Sequence, residues 1–169
     1  MVELNAGLRP SAALTEAVWS KLPSGAAGLR VFTSVQKGSG GTNSYVLFTL
    51  SGNALYGLAN TTGSDDYQTT GNVALNTWLY LVHTYDGANQ RLYVNGVQLG
   101  APWSTTGAQV YDLSNTKFAI GMNYDGPGYD AGISGNELGN LSVIQFYGRA
   151  LSDAEIMYNF NVDKARYGL

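Results

Sequence analysis

The chain of 169 residues contains no cysteine and a single histidine, His83. Disulfide frameworks, thiolate zinc sites and cysteine nucleophiles are therefore excluded. With one imidazole, so are clustered-histidine metal centres. Basic residues are scarce: nine Lys and Arg against twelve Asp and Glu leave a net charge of −3. A phosphate backbone is held by a basic face, so nucleic acid is not an expected partner. Charged residues make up 12% of the chain, about half the ~25% of an ordinary soluble domain. No run approaches the ~18 apolar residues of a membrane-spanning helix. The N-terminus lacks the basic and apolar regions of a secretory leader. The expectation is a mature chain, or one that leaves its cell by another route, such as lysis of a host by a virus.

Neutral groups supply the polar surface instead, with 13 Ser, 13 Thr and 14 Asn beside 22 Gly and 12 Tyr. Tyr and Thr suit pleated sheets, and Gly and Asn suit turns. The mix implies many short strands and is common on extracellular surfaces. At this length one domain is expected, over residues 13–169, preceded by an arm or edge strand at 1–12.

Along the chain, strands are predicted at 13–22, at 30–37 with Val31, Thr33 and Val35 on one face, and at 44–50, which pairs back through 54–59. Residues 60–72 read as loop, with a short strand at 67–69. Trp78 to Tyr85 (WLYLVHTY) is nearly all apolar, and Trp78, Tyr80 and Val82 share what is expected to be its buried face. Residues 90–94 and 97–99 flank Asn95-Gly96, the pair a type I′ hairpin turn requires. After a long connection at 100–116 come strands at 117–121 and 138–147, separated by a Gly-rich loop. In the last strand Leu141, Val143 and Gln145 alternate with Ile144 and Phe146. Ser152 and Glu155 form a capping box for one short helix with Ile156, Met157 and Phe160 as its apolar stripe.

Many strands and one late helix imply an all-β antiparallel sandwich. The runs Asn76-Thr77-Trp78, Thr84-Tyr85-Asp86-Gly87 and Leu92-Tyr93-Val94-Asn95-Gly96 resemble the central hairpins of laminin-G-like, concanavalin A-like jelly-roll domains. So does the ending: Gly139, Ile144, Phe146-Tyr147, Arg149-Ala150-Leu151-Ser152 and Glu155-Ile156. The resemblance covers residues 13 to 160 and implies a jelly roll. The last segment, from Tyr158 through Lys164-Ala165-Arg166-Tyr167-Gly168-Leu169, is similar to versions of the domain in phage and other viral structural proteins. Two departures matter. Residues 2–12 only weakly resemble the family's first strand, which leaves an exposed edge or one covered by a partner chain. Ser142 and Val143 stand where many members carry Asp that helps hold calcium.

The chemistry-bearing residues are few. Glucanases of this fold need a Glu-x-Asp-x-Glu strand, and none of the four Glu (Glu3, Glu16, Glu137, Glu155) starts one. Glycosidase chemistry needs two facing carboxylates, and Asp65 and Asp66 sit together in a loop. His83 has no Gly-x-Ser-x-Gly elbow to serve and reads as a half-buried sheet residue bonded to a neighbour. No cofactor is expected. Calcium is the candidate metal, with Asp65, Asp66, Asp125 and Asp130 as its weak candidate ligands, beside Asn123 and Glu137. Sugar rings stack on aromatic faces while Asn, Asp and Arg take their hydroxyls. On that ground Trp103, Tyr111, Asn123, Tyr124, Asp125, Tyr129 and Asp130, from the loops flanking residues 117–121, are the candidate ligand-binding set.

The reading is a non-enzymatic, lectin-like module that binds a glycan or host surface, on a virion or in the extracellular space. The alternative is a structural phage protein that decorates a capsid or tail through subunit contacts. A homo-oligomer fits either, and the tail with Lys164, Arg166, Tyr167 and Leu169 is a rival interaction element.

Overall fold

Alternating apolar residues make strands, and in the computed structural model they make two antiparallel sheets. The structure describes residues 2–3, 10, 12–24, 28–36, 43–50, 53–63, 68–111, 117–121 and 139–169. The strands are β1 (Val2–Glu3), β2 (Leu14–Lys21), β3 (Arg30–Gln36), β4 (Asn43–Leu50), β5 (Ala54–Ala59), β6 (Gln68–Asn72), β7 (Trp78–Tyr85), β8 (Asn89–Val94), β9 (Val97–Gln98), β10 (Trp103–Ser104), β11 (Lys117–Ile120) and β12 (Asn140–Tyr147). Helix α1 (Asp153–Asp163) follows and tightens into a 3-10 turn at Lys164–Tyr167. One sheet has the order β1-β11-β3-β4-β5-β6 and the other β10-β8-β7-β2-β12, with β9 paired to β8. The result is the jelly-roll sandwich expected. The N-terminal strand is an edge: Val2 pairs with Phe118 of β11.

Local chemistry explains the joints. Asn95 and Gly96 have φ of 52° and 85°, the positive values a type I′ turn demands. Asn95 Oδ1 also accepts the backbone N–H of Tyr80 at 2.9 Å, which ties the turn to β7. At α1, Ser152 Oγ accepts from Glu155 N–H, and the Glu155 carboxylate accepts from Ser152 N–H, so the capping box is complete.

The inner faces meet in two apolar clusters. Val18, Leu22, Phe32, Leu47, Leu55, Leu79, Leu81 and Leu92 fill one end. Leu14, Val35, Tyr45, Ala59, Tyr85 and Phe118 fill the other. This corrects the expected face of β7: Leu79 and Leu81 point between the sheets, while Trp78, Tyr80 and Val82 point outward. Their outward face is nonetheless covered. Helix α1 and the 3-10 turn lie over it, burying Ala17, Trp19, Tyr80, Val82, Tyr93, Leu151 and Ile156. The Trp19 ring stacks on Tyr167 at 4.0 Å between centroids and on Phe160 at 5.8 Å. The tail is thus packed onto the second sheet. In β12 the alternation also differs from expectation, because a bulge lies between Leu141 and Ile144. The extra residue returns Leu141 to the inner face with Ile144, and leaves Val143 outside.

Candidate binding surface

Between the two apolar clusters lies a polar bridge that joins the sheets. Glu16, with the inward parity of Leu14 and Val18, accepts from Thr33 Oγ1 at 2.6 Å and meets His83 Nδ1 at 2.8 Å. His83 Nε2 lies 2.8 Å from Gln90 Oε1, which also accepts the Ala59 N–H at 2.7 Å. Gln90 Nε2 donates to Thr105 Oγ1 at 2.8 Å. Because Gln90 Oε1 can only accept, His83 Nε2 is the donor there. Both ring nitrogens of His83 are thus engaged, one by Glu16 and the other by Gln90. His83, expected to be half-buried, is fully buried, as are Glu16 and Gln90. The Glu–His arrangement is that of an oriented base, yet it has no path to solvent, and the nearby Thr33 hydroxyl is committed to Glu16. It serves as an internal tie: buried polar groups of this kind are tolerated only when each is bonded. Glu16 was missed in the sequence, although a carboxylate at an inward position of an apolar strand is itself a signal.

The aromatic set chosen from the loops fares unevenly. Asn123, Tyr124, Asp125, Tyr129 and Asp130 lie outside the described residues, as do Asp65, Asp66 and Glu137. Trp103 is half-buried against the core cluster around Val18 and Leu92. Its ring lies parallel to His83, 6.3 Å away. Tyr111, also half-buried, belongs to the other cluster; its hydroxyl lies 2.7 Å from Pro10 O and 2.6 Å from Gln109 Oε1. The structure therefore places Trp103 and Tyr111 against different ends of the core. At the positions where the family's calcium-binding Asp would stand, Ser142 Oγ accepts from the Tyr167 hydroxyl at 2.7 Å and Val143 packs among aromatics. Neither supplies a charged oxygen, so these two positions do not fit the metal. Among the described residues no three Asp, Glu or His gather as a metal site.

Two open clefts flank the segment that leads into α1. The larger, about 590 Å³, is lined by Asp86, Arg91, Tyr93, Ser152, Asp153 and Glu155, with Ala150, Leu151 and Ala154. The smaller, about 310 Å³, is lined by Tyr147, Arg149, Leu151, Ala154, Glu155, Tyr158 and Asn159. Their carboxylates are all engaged. Burial would raise the Asp86 pKa, but hydrogen bonds from Arg91 (2.5 Å) and from the N–H groups of Ala88 and Asn89 outweigh it and hold the carboxyl below its ordinary value. Asp153 accepts from the Tyr93 hydroxyl at 2.8 Å, and burial together with that carboxylate raises the Tyr93 pKa. Arg149 grips Glu155 through two nitrogens, at 2.6 and 2.9 Å. That grip, with the Ser152 bonds, lowers the Glu155 pKa to about 2. A glycosidase acid must hold its proton near neutral pH, and neither Asp86 nor Glu155 does.

The sequence of residues 1–157 matches the model of the concanavalin A-like lectin/glucanases superfamily. The chain belongs to that superfamily. Solved structures agree on the fold of this concanavalin A-like domain. A SAP-like pentraxin of Limulus polyphemus is 19% identical, with a TM-score of 0.61 over 89% of this chain and 70% of its own. A candidate carbohydrate binding protein of Bacteroides ovatus is 17% identical, with a TM-score of 0.67 over 92% of this chain and 42% of its own. The sialidase of Trypanosoma rangeli is 17% identical, with a TM-score of 0.58 over 90% of this chain but only 23% of its own. A comparison with curated proteins finds no match. At these identities the likeness is one of fold.

Proposed function

We propose that this concanavalin A-like domain is a non-catalytic recognition module for glycans, displayed on a virion or in the extracellular space. The observation that carries the reading is the state of its open clefts. They are lined by tyrosines, two arginines and carboxylates, the groups that hold sugars, while Asp86 and Glu155 are held in ion pairs that keep them ionised. Family membership and the fold of the Bacteroides ovatus protein support the same direction. The weak net charge of −3 provides little long-range steering. Binding to an array of neutral and acidic glycans should therefore be saturable and change little between low and physiological salt. Absence of saturable binding to every glycan overturns the reading.

A second reading, subunit docking in a phage capsid or tail, is favoured by one observation. Tyr158 and Val162, one turn apart on α1, are 68% and 61% exposed, and Leu169 is 44% exposed. An oligomer in solution that dissociates on Val162→Asp, together with a blank glycan array, supports docking; a monomer that binds glycans saturably counts against it.

A further inference from the structure

We infer that the smaller cleft, between the end of β12 and the first turns of α1, is the saccharide site, and that its ligand is an uncharged mono- or disaccharide. The inference rests on the glycan-recognition reading and adds a place and a ligand class to it.

The helix creates the cleft. Residues three and four apart share a face, so Ala154, Glu155, Tyr158 and Asn159 project together toward Tyr147 and Arg149. Ala154 is the small member of this lining. Tyr158 is 68% exposed, so its ring is open to a ligand. A tyrosine offers wide contact area with little rotamer entropy to lose, and a pyranose offers it a face of C–H groups. Around that ring stand polar groups that sugar hydroxyls can meet: the remaining N–H groups of Arg149, the remaining lone pairs of the Glu155 carboxylate and the amide of Asn159. These groups are already positioned. Arg149 and Glu155 hold each other through two bonds, Glu155 is fixed again by the cap, and Asn159 Nδ2 donates to Tyr147 Oη at 3.2 Å. Groups pre-organised in this way lose little freedom on binding. The volume of about 310 Å³ lies at the lower end of the range for small-molecule sites, roughly 300–1,000 Å³.

Charge selects among sugars. Arg149 is neutralised by Glu155, and the adjoining cleft contributes Asp86 and Asp153 against Arg91. Among the described residues lining the two clefts, no cation is left over for the carboxylate of a sialic or uronic acid, and these residues carry a net negative charge. A neutral sugar, which asks only for donors and acceptors, meets no such penalty.

The test uses the full chain, labelled with nitrogen-15 and titrated with the methyl glycosides of glucose, galactose, mannose and N-acetylglucosamine, with lactose, and with 3′-sialyllactose. The expected result is saturable movement of the Asn159 side-chain amide and the Arg149 Nε–H signals with one or more of the neutral sugars, and weaker binding of the sialylated one. Tyr158→Ala and the cleft-filling Ala154→Leu should each weaken that binding about tenfold or more. Both positions are exposed, so the fold should survive, and an unchanged amide spectrum elsewhere checks this. Trp103→Ala should leave the affinity unchanged if the protein remains folded. Sugar binding that ignores Tyr158→Ala and Ala154→Leu overturns this site while the glycan reading stands. Preference for 3′-sialyllactose overturns the ligand class. No binding of any sugar here or on the array overturns both.

Discussion

A β-carbon built on Gly57 would lie 2.6 Å from His83 Cδ2 and 2.9 Å from Cγ. Glycine is needed at this place in β5 because the imidazole rests on the facing strand, held by Glu16 on one side and Gln90 on the other. Gly57→Ala should therefore cost about 1–3 kcal/mol, as for overpacking a filled core. In a His83→Ala background, with the ring gone, the same change should cost much less. A double-mutant cycle in urea measures the coupling, and equal costs in both backgrounds would show that the ring is not the obstacle. Two tryptophans give a second contrast. Trp19 is fully buried among Tyr80, Phe160 and Tyr167, whereas Trp78 is half-buried at the margin of that cluster. Trp19→Ala should cost about 3–5 kcal/mol and Trp78→Ala about 1–2 kcal/mol. Reversed magnitudes would mean that the tail does not cover this face.

Elements whose limits are set by neighbouring residues were legible in the sequence. Asn95-Gly96 must turn, and Ser152 with Glu155 must cap, because each satisfies its own backbone within a few positions. What depends on packing was not legible. The apolar run of β7 carries large residues on both faces, since one face meets the opposite sheet and the other meets the C-terminal helix. Parity alone could not say which was which. The bulge in β12 was invisible for the same reason: nothing local in Leu141-Ser142-Val143 demands an extra residue. The cap makes a quantitative expectation. Ser152→Ala should cost about 1 kcal/mol, read from the urea midpoint. Glu155 adds a pH dependence of definite sign. Its folded pKa, lowered chiefly by Arg149, is about 2 against an ordinary 4.5. Its contribution is therefore complete above about pH 4.5 and lost as the pH falls toward 2. Between pH 5 and pH 2 the melting temperature of wild type should fall more than that of Arg149→Gln. Parallel curves would show that the ion pair does not contribute in solution.

Across the whole molecule, composition was legible in the sequence, whereas the geometry of the proposed site was not. Tyrosine, asparagine and low charge were plain in the composition, and they pointed to loops around residues 103 and 124–130 because loops are where such residues cluster. The cleft beside Tyr158 exists only once α1 folds back beside the end of β12: its lining residues are close in the chain, but they face one another only in the fold. The same docking decides what the tail is. Read along the chain, Lys164 to Leu169 could dock a partner or fray. In the structure Tyr167 stacks on Trp19, its ring centroid lies 4.8 Å from that of Trp78, and its hydroxyl donates to Ser142. Lys164 Nζ lies 5.7 Å from the Phe160 ring centroid, and the Arg166 guanidinium lies at the same distance from Tyr167, positions that suit cation–π attraction. The segment is thus the last piece of the core over the second sheet. Removing residues 164–169 uncovers the stacked face of Trp19 and strips one side from Trp78. The expected loss is about 2–4 kcal/mol, the range for removing a large packed aromatic. Tryptophan emission should shift to the red as both indoles meet water. Circular dichroism should retain the strand signal, because the inter-sheet clusters and the Glu16–His83–Gln90 bridge lie on the opposite face of the sheet. Unchanged stability with unchanged emission would mean that the tail is detached in solution, and would return it to the role of a docking arm.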